Sequence, residues 1–240
     1  MNVPPKGYFI TGTDTGVGKT VVTALLLRWM QEHHRAAGVM KPVETGVDPE
    51  CHSAANSDAL FLMEVSGLQD PPGDVSPYRF KAPASPYQSA RLQGRQVSPS
   101  LLTAAFNRLA ARHDLMLVEG IGGLLVPLTA EMTVAGLARE WDLPLILVTR
   151  YTLGTVNHTL LTLQAAREHG LPVTGLVFNQ TAPGPLSAIE RDQPRLLAEL
   201  TGVRVLGEMP YFPKLEAAMF TRPFLETVFA GWDAPDLLAL

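Results

Sequence analysis

The stretch that most constrains this chain is YFITGTDTGVGKTVVTALLL, Tyr8 to Leu27. The run YFIT reads as a strand, the glycines at 12, 16 and 18 as a turn, and the residues from Thr20 as a helix. A strand that passes through a tight turn into a helix must lay that helix back on its own sheet, which favours parallel β-α-β units. The glycines also let backbone N–H groups face inward ahead of the helix N-terminus, and those donors plus the helix dipole make an anion cradle. In such a loop Lys19 reaches the β- and γ-phosphates, and the Thr20 hydroxyl is a ligand for Mg2+. The strict spacing G-x-x-x-x-G-K-[ST] fails by one residue, because Thr13 holds the first-glycine position and Gly12 lies one place early. The spacing points to a variant phosphate loop; the bland alternative is a turn that merely needs glycine.

The remainder of the chain repeats the same alternation. Strand-like apolar runs occur at Ala37–Lys41, Leu115–Gly120, Pro144–Thr149, Val173–Asn179 and Arg204–Pro210. Helical stretches run from Thr20 to about His34, around Asp58–Ser66, and over Pro99–Arg112, Thr155–His169 and Leu186–Thr201. The strands are continuous rather than alternating, as expected of strands covered on both faces of a parallel sheet. The expected fold is α/β: a doubly wound, mostly parallel sheet flanked by helices, of the phosphate-loop NTPase type. Its functional loops then lie at the C-terminal edge of the sheet. The Pro-rich stretch Asp70–Ala90 carries Tyr78, Phe80 and Tyr87, so it reads as an ordered loop over the sheet rather than a linker. One domain over residues 1–240 is the expectation.

Composition narrows the function. Of 240 residues 46% are hydrophobic and 18% charged, enough for a packed core and too few charges for a disordered chain. The net charge of −4, with no basic stripe or polybasic block, argues against nucleic-acid and membrane partners. Cys51 is the single cysteine, which excludes an intrachain disulfide, and Cys51-His52 lacks the four-ligand spacing of structural zinc. The N-terminus has no apolar signal-peptide core, and no apolar run reaches the roughly 18 residues of a membrane span. A cytoplasmic protein is expected.

Three further stretches carry candidate chemistry. LVEGIGG ends an apolar strand in Glu119, where a carboxylate beside a phosphate loop holds Mg2+ directly or through water, or where a strand simply turns. MKPVETG places Lys41 and Thr45 after another strand. A second lysine there would bridge a phosphoryl group and an anionic acceptor; a surface lysine before a proline turn fits the spacing equally well. In NSDALFLM, Asp58 reads first as a helix-start residue.

Taken together, GTDTGVGKT, KPVETG, NSDA, PYRFKAPASPY, VEGIGG, LGTVNH, VFNQ and GEMPYFP resemble, in order and spacing, the dethiobiotin synthetase family. The resemblance covers most of the chain. It implies an ATP- and Mg2+-dependent cyclo-ligase of biotin synthesis, a homodimer acting on 7,8-diaminononanoate and CO2. Lys19, Lys41 and Thr45 would serve catalysis, with Thr20, Asp58 and Glu119 holding Mg2+; this displaces the capping role of Asp58. ATP would lie along Thr13, Asp14, Thr15, Gly16, Val17 and Gly18, with Gly120 and Gly122 close by. Asn179 would read adenine, beside Gln180, Pro210, Tyr211 and Phe212. The diamine would meet Thr15, Lys41 and Thr45, and, from the partner subunit, Leu153, Gly154, Thr155 and Asn157. The chain departs from the family at Gly16, where some members carry an acid, at Tyr87, where many have His, and at Gln180, where many have Asp. His158 reads as a helix-start packing residue or a base.

Two other classes compete. A partition- or positioning-type switch ATPase of the ParA/MinD kind usually carries a lysine just after the loop's first residue, where this chain has Asp14. A small-molecule kinase would leave phosphate on its product; single motifs do not exclude it.

Overall fold

The computed structural model describes residues 7–33, 35–50 and 53–233. His34, the Cys51-His52 pair, the first six residues and the last seven lie outside the described residues. The strands are β1 (Gly7–Gly12), β2 (Ala37–Met40), β3 (Val43–Thr45), β4 (Tyr78–Phe80), β5 (Leu115–Glu119), β6 (Leu145–Arg150), β7 (Val173–Asn179) and β8 (Val205–Met209). The helices are α1 (Lys19–Glu32), α2 (Asp58–Ser66), α3 (Pro72–Val75), α4 (Pro86–Leu92), α5 (Pro99–Ala110), α6 (Val134–Glu140), α7 (Thr155–Glu168), α8 (Ala188–Thr201) and α9 (Arg222–Phe229).

The main sheet has the order β2-β5-β1-β6-β7-β8, and every neighbouring pair is parallel. All six residues of β1 and all five of β5 are buried, which is why these strands read as unbroken apolar runs. Register sets up the functional edge. Met40 lies opposite Val118, and Ile10 opposite Glu119. The residue after β2, Lys41, is therefore delivered beside Glu119, and both adjoin the loop that leaves β1.

The Pro-rich stretch is ordered, but it is not a loop. It contains α3, β4 and α4, and β4 pairs in parallel with β3 as a separate two-stranded sheet. Its prolines mark helix starts: Pro72 and Pro86 each stand at the head of a helix, where the missing N–H has no partner to lose. The short β3 and β4, together with α6 and α9, were not expected from periodicity. Elements of three to eight residues are too short to show a period. Other boundaries shift by one or two residues at frayed ends.

The core runs between the helices and the sheet, with Phe9, Ile10, Leu25, Leu26, Leu102 and Phe106 almost fully buried. Phe106 of α5 stacks on Trp141 after α6, with centroids 4.4 Å apart and planes 3° from parallel. Phe106→Ala is expected to cost about 3–5 kcal/mol in urea unfolding, with the midpoint lowered and the slope unchanged. A loss below about 1 kcal/mol would mean that the site collapses around the gap.

Candidate active site

The loop between β1 and α1 is held from three sides. Thr13 donates its amide to the Val148 carbonyl at 3.0 Å and its hydroxyl to Thr149 Oγ1 at 3.4 Å. Thr13 thus spends its side chain on β6, which accounts for a non-glycine at that position. Asp14 accepts the Thr15 amide at 2.7 Å and the Arg150 guanidinium at 3.2 Å. Asn179, at the end of β7, donates to the Val17 carbonyl at 2.9 Å. Gly18 has φ +97°, and a Cβ there would sit 2.0 Å from Asn179 Nδ2. Only glycine meets both the left-handed backbone and this close approach. Gly16 also has a positive φ, +74°, with nothing within 4 Å of a built Cβ, so space does not dictate its difference from acidic relatives.

Two lysines converge behind the loop. Lys19 is 7% exposed and donates to the Asp14 carbonyl at 2.9 Å. Burial, with the charge of Lys41 adding to it, pulls its pKa down to about 8 against the raising influence of Glu119. Lys41 is 3% exposed, which rules out a surface lysine. Its ammonium lies 2.5 Å from Glu119 Oε1, 3.1 Å from Asp58 Oδ2 and 3.1 Å from the Gly120 carbonyl. Burial alone would lower the Lys41 pKa, but Glu119 and Asp58 together outweigh it and hold it above the usual lysine range. Burial raises Glu119 despite Lys41, whereas Asp58 stays below its usual range: burial pushes it up, and Lys41 more than offsets that. The Glu119 side chain is fully buried and is also raised by the charge of Asp58, whereas Asp58, with its side chain 47% exposed, is lowered by Lys41, Thr20 and Lys19 together.

Asp58 is not the helix cap. Ser57 fills that role by accepting from the Leu60 amide, which leaves Asp58 in the first turn of α2 and free to face Lys41. Thr20 donates its hydroxyl to Glu119 Oε1 at 2.8 Å. Glu119 Oε2 is buried and has no hydrogen-bond partner. Two carboxylates, one of them with an orphaned buried oxygen, and a hydroxyl form a hard-oxygen donor set that suits Mg2+. Among the described residues no group of three His, Cys, Asp or Glu side chains forms a protein-only metal cluster.

These groups open on a cavity of about 1060 Å³. Thr15, Lys19, Thr20, Lys41, Asp58 and Glu119 stand on its walls, as do Gly16, Gly18, Thr45 and Gly122. Asn179, Gln180, Tyr211 and Phe212 line it as well. The Gln180 amide nitrogen is tied to its own loop, at 3.0 Å from the Ala182 carbonyl and 2.5 Å from that of Gly184. Pro210 is exposed and outside these walls, and Val17 is fully buried beneath the loop.

The start of α7 lies apart from the cavity walls. Leu153 is 99% exposed, and Gly154 and Asn157 are exposed. Thr155 is buried; its hydroxyl bonds Thr149 Oγ1 at 2.8 Å and the Arg150 carbonyl at 2.7 Å, and its amide donates to the Thr152 carbonyl. His158 is exposed, contrary to a packing role, because it falls on the outer face of α7. Tyr87 also lies away from the walls, with the Arg91 guanidinium 5.6 Å from its ring centre. Two participants escaped the sequence reading: Arg150, which pairs with Asp14, and Glu44, a buried carboxylate in the wall. The E of KPVETG was a signal for the second; nothing marked the first.

Comparison with known proteins gives the family and the fold. A family profile described as AAA domain matches residues 6–219. The ATP-dependent dethiobiotin synthetase of Thermodesulfovibrio yellowstonii is 37% identical over 98% of this chain and 99% of its own. Those of Anaeromyxobacter dehalogenans strain 2CP-C and Bacillus subtilis strain 168 are 45% and 36% identical, over 88% and 85% of this chain and 92% and 87% of theirs. Among solved structures, the MinD cell division protein of Aquifex aeolicus superposes with a TM-score of 0.59 at 12% identity, covering 98% of both chains. The ParA family ATPase of Chlorobium tepidum gives 0.51 at 12% identity over 98% of this chain and 93% of its own. At that identity the two structures speak for the fold alone.

The Lys41–Glu119 pair makes a stability test. Lys41→Met is expected to destabilise the ligand-free protein by about 3–5 kcal/mol, because it strands a buried carboxylate. Adding Glu119→Gln removes the stranded charge and should recover most of that loss in chemical denaturation. Additive losses would show that the two groups are energetically independent.

Proposed function

This chain belongs to the family of ATP-dependent dethiobiotin synthetases, and on that premise we propose that it closes the ureido ring of 7,8-diaminononanoate with CO2 and ATP, in the cytoplasm, as one domain that pairs into a homodimer. The observation that carries the reading is the buried Lys41 ammonium, set between Glu119 and Asp58 on the wall that also holds Lys19. A simple phosphate loop needs one lysine; a second, held charged and immobile, suits a reaction that joins two anions.

In the proposed course, one substrate amine adds to CO2 and gives a carbamate with release of a proton. A carbamate oxygen attacks the γ-phosphorus and ADP departs, leaving a carbamic-phosphoric anhydride. The second amine attacks the carbonyl carbon, expels phosphate and closes the cyclic urea. The protein's part is positioning and charge neutralisation. The loop amides and Lys19 cradle the β- and γ-phosphates. Lys41 faces the oxygens that gather charge as the carbamate meets the phosphoryl group, and Thr45 donates a hydrogen bond there. Thr20, Asp58 and Glu119 would hold Mg2+, which when bound neutralises phosphate charge. Asn179 and Gln180, with Tyr211 and Phe212, hold the base. Leu153, Gly154, Thr155 and Asn157 serve the partner's site; the exposure of Leu153, Gly154 and Asn157 outside this chain's cavity walls supports that assignment, while buried Thr155 anchors the turn that presents them.

The likeness to MinD and ParA proteins does not favour a switch ATPase. Asp14 stands where such proteins usually carry a lysine, and in this chain it is engaged by Arg150.

Phosphate release is expected only when diamine and CO2 are both present, with one carbon from labelled bicarbonate fixed per phosphate. Lys41→Met should lower this coupled turnover by about 10²-fold or more, as loss of a preorganised charge does. Brisk ATP hydrolysis without diamine would contradict the synthetase reading. Phosphate retained on the product would point to a kinase.

Asn157→Ala should raise the diamine KM far more than the ATP KM. Mixing it with Lys19→Ala should restore part of the activity, since a heterodimer assembles one intact shared site. No recovery in verified heterodimers would count against sharing between subunits.

A further inference from the structure

Glu44 is 2% exposed, and the proposed mechanism gives it no task. It lies on β3, between Lys41 and Thr45 in sequence. Its carboxylate accepts the Ser57 hydroxyl at 2.9 and 3.2 Å, the Ala59 amide at 3.1 Å and the Ser76 hydroxyl at 3.3 Å. Ser57 and Ala59 are the two neighbours of Asp58. Burying a carboxylate is costly unless its hydrogen bonds replace water. Ser57 caps α2 at the Leu60 amide, and Glu44 satisfies a second first-turn donor, the Ala59 amide. What Glu44 adds is a tie from β3 to both sides of Asp58, so that α2 cannot rotate the Asp58 carboxylate away from Lys41 without breaking these bonds. The helix dipole favours a negative group at this end, and Glu44 adds a further negative charge acting on Lys41.

We propose that Glu44 is a positioning residue that aims the Asp58 carboxylate into the metal and phosphate site. The inference rests on the assignment of Asp58 as a ligand for Mg2+. Partners that orient a ligand in this way are worth about 10- to 100-fold in metal affinity.

The test is a double-mutant cycle on the full-length protein. Mg2+ binding to the ADP complex is followed by calorimetry, with thermal melting alongside. Glu44→Gln should weaken Mg2+ binding by about 10-fold in the natural background. In an Asp58→Asn background the same change should alter it by less than about 2-fold, because the group being aimed is gone. A purely structural Glu44 would lower the melting temperature and affect metal binding equally in both backgrounds, and that result overturns the proposal. So does unchanged Mg2+ affinity in Glu44→Gln. If Asp58→Asn alone leaves Mg2+ affinity intact, the metal assignment fails together with the proposal. If Asp58→Asn weakens binding and Glu44→Gln does not, only the role of Glu44 fails. Should Glu44→Gln not fold, Ser57→Ala cuts one tie to the same carboxylate. It should then weaken Mg2+ binding in the natural background and not with Asp58→Asn; equal effects in both count against the proposal.

Discussion

The ion pair between Lys41 and Glu119 is the constraint on which the site depends. Both side chains are buried, and neither would be tolerable alone. Parallel pairing of β2 with β5 brings them together, because Met40 opposite Val118 leaves Lys41 beside Glu119. The partial exposure of Asp58 lets it share the ammonium without being desolvated to the same degree. A charge held this way loses little further freedom when a phosphoryl group arrives, which is what preorganisation means in a transfer reaction. The sheet and the chemistry are thus coupled through register.

Much of the fold was legible in the sequence. Unbroken apolar strands such as LMLVE announced a buried parallel sheet, and the glycines around Gly18 marked the strand-to-helix loop. The second sheet was not legible, because three-residue strands carry no period and the prolines beside them look like breakers rather than helix starts. At the site, Lys19, Thr20 and Glu119 could be read from motif and position. Lys41 was undecided, since nothing local says whether a lysine after a strand turns inward. Asp58 read locally as a cap and, through the family resemblance, as a metal ligand; Ser57 occupies the capping place. Long-range pairs such as Asp14 with Arg150 leave no local trace, because they depend on β1 and β6 being neighbours.

This chain superposes along nearly its whole length on a MinD protein with 12% identity, while its curated relatives at 36–45% identity are synthetases. In this chain the loops carry Asp14 facing Arg150, Lys41 clasped by carboxylates, and Asn179 bracing the phosphate loop. Fold fixes where a nucleotide is cradled, and the side chains around the cradle decide what the phosphoryl group meets.

The central claim is that a carbamate oxygen, not water, attacks the γ-phosphorus. It is tested most directly by supplying 18O-labelled CO2 with ATP and the diamine, quenching before the label exchanges with solvent, and weighing the released phosphate by mass spectrometry. The expected result is transfer of one 18O from CO2 into each phosphate, since the bridging oxygen of the anhydride leaves with phosphorus. Phosphate that takes its new oxygen from labelled water, with none from CO2, would contradict the account.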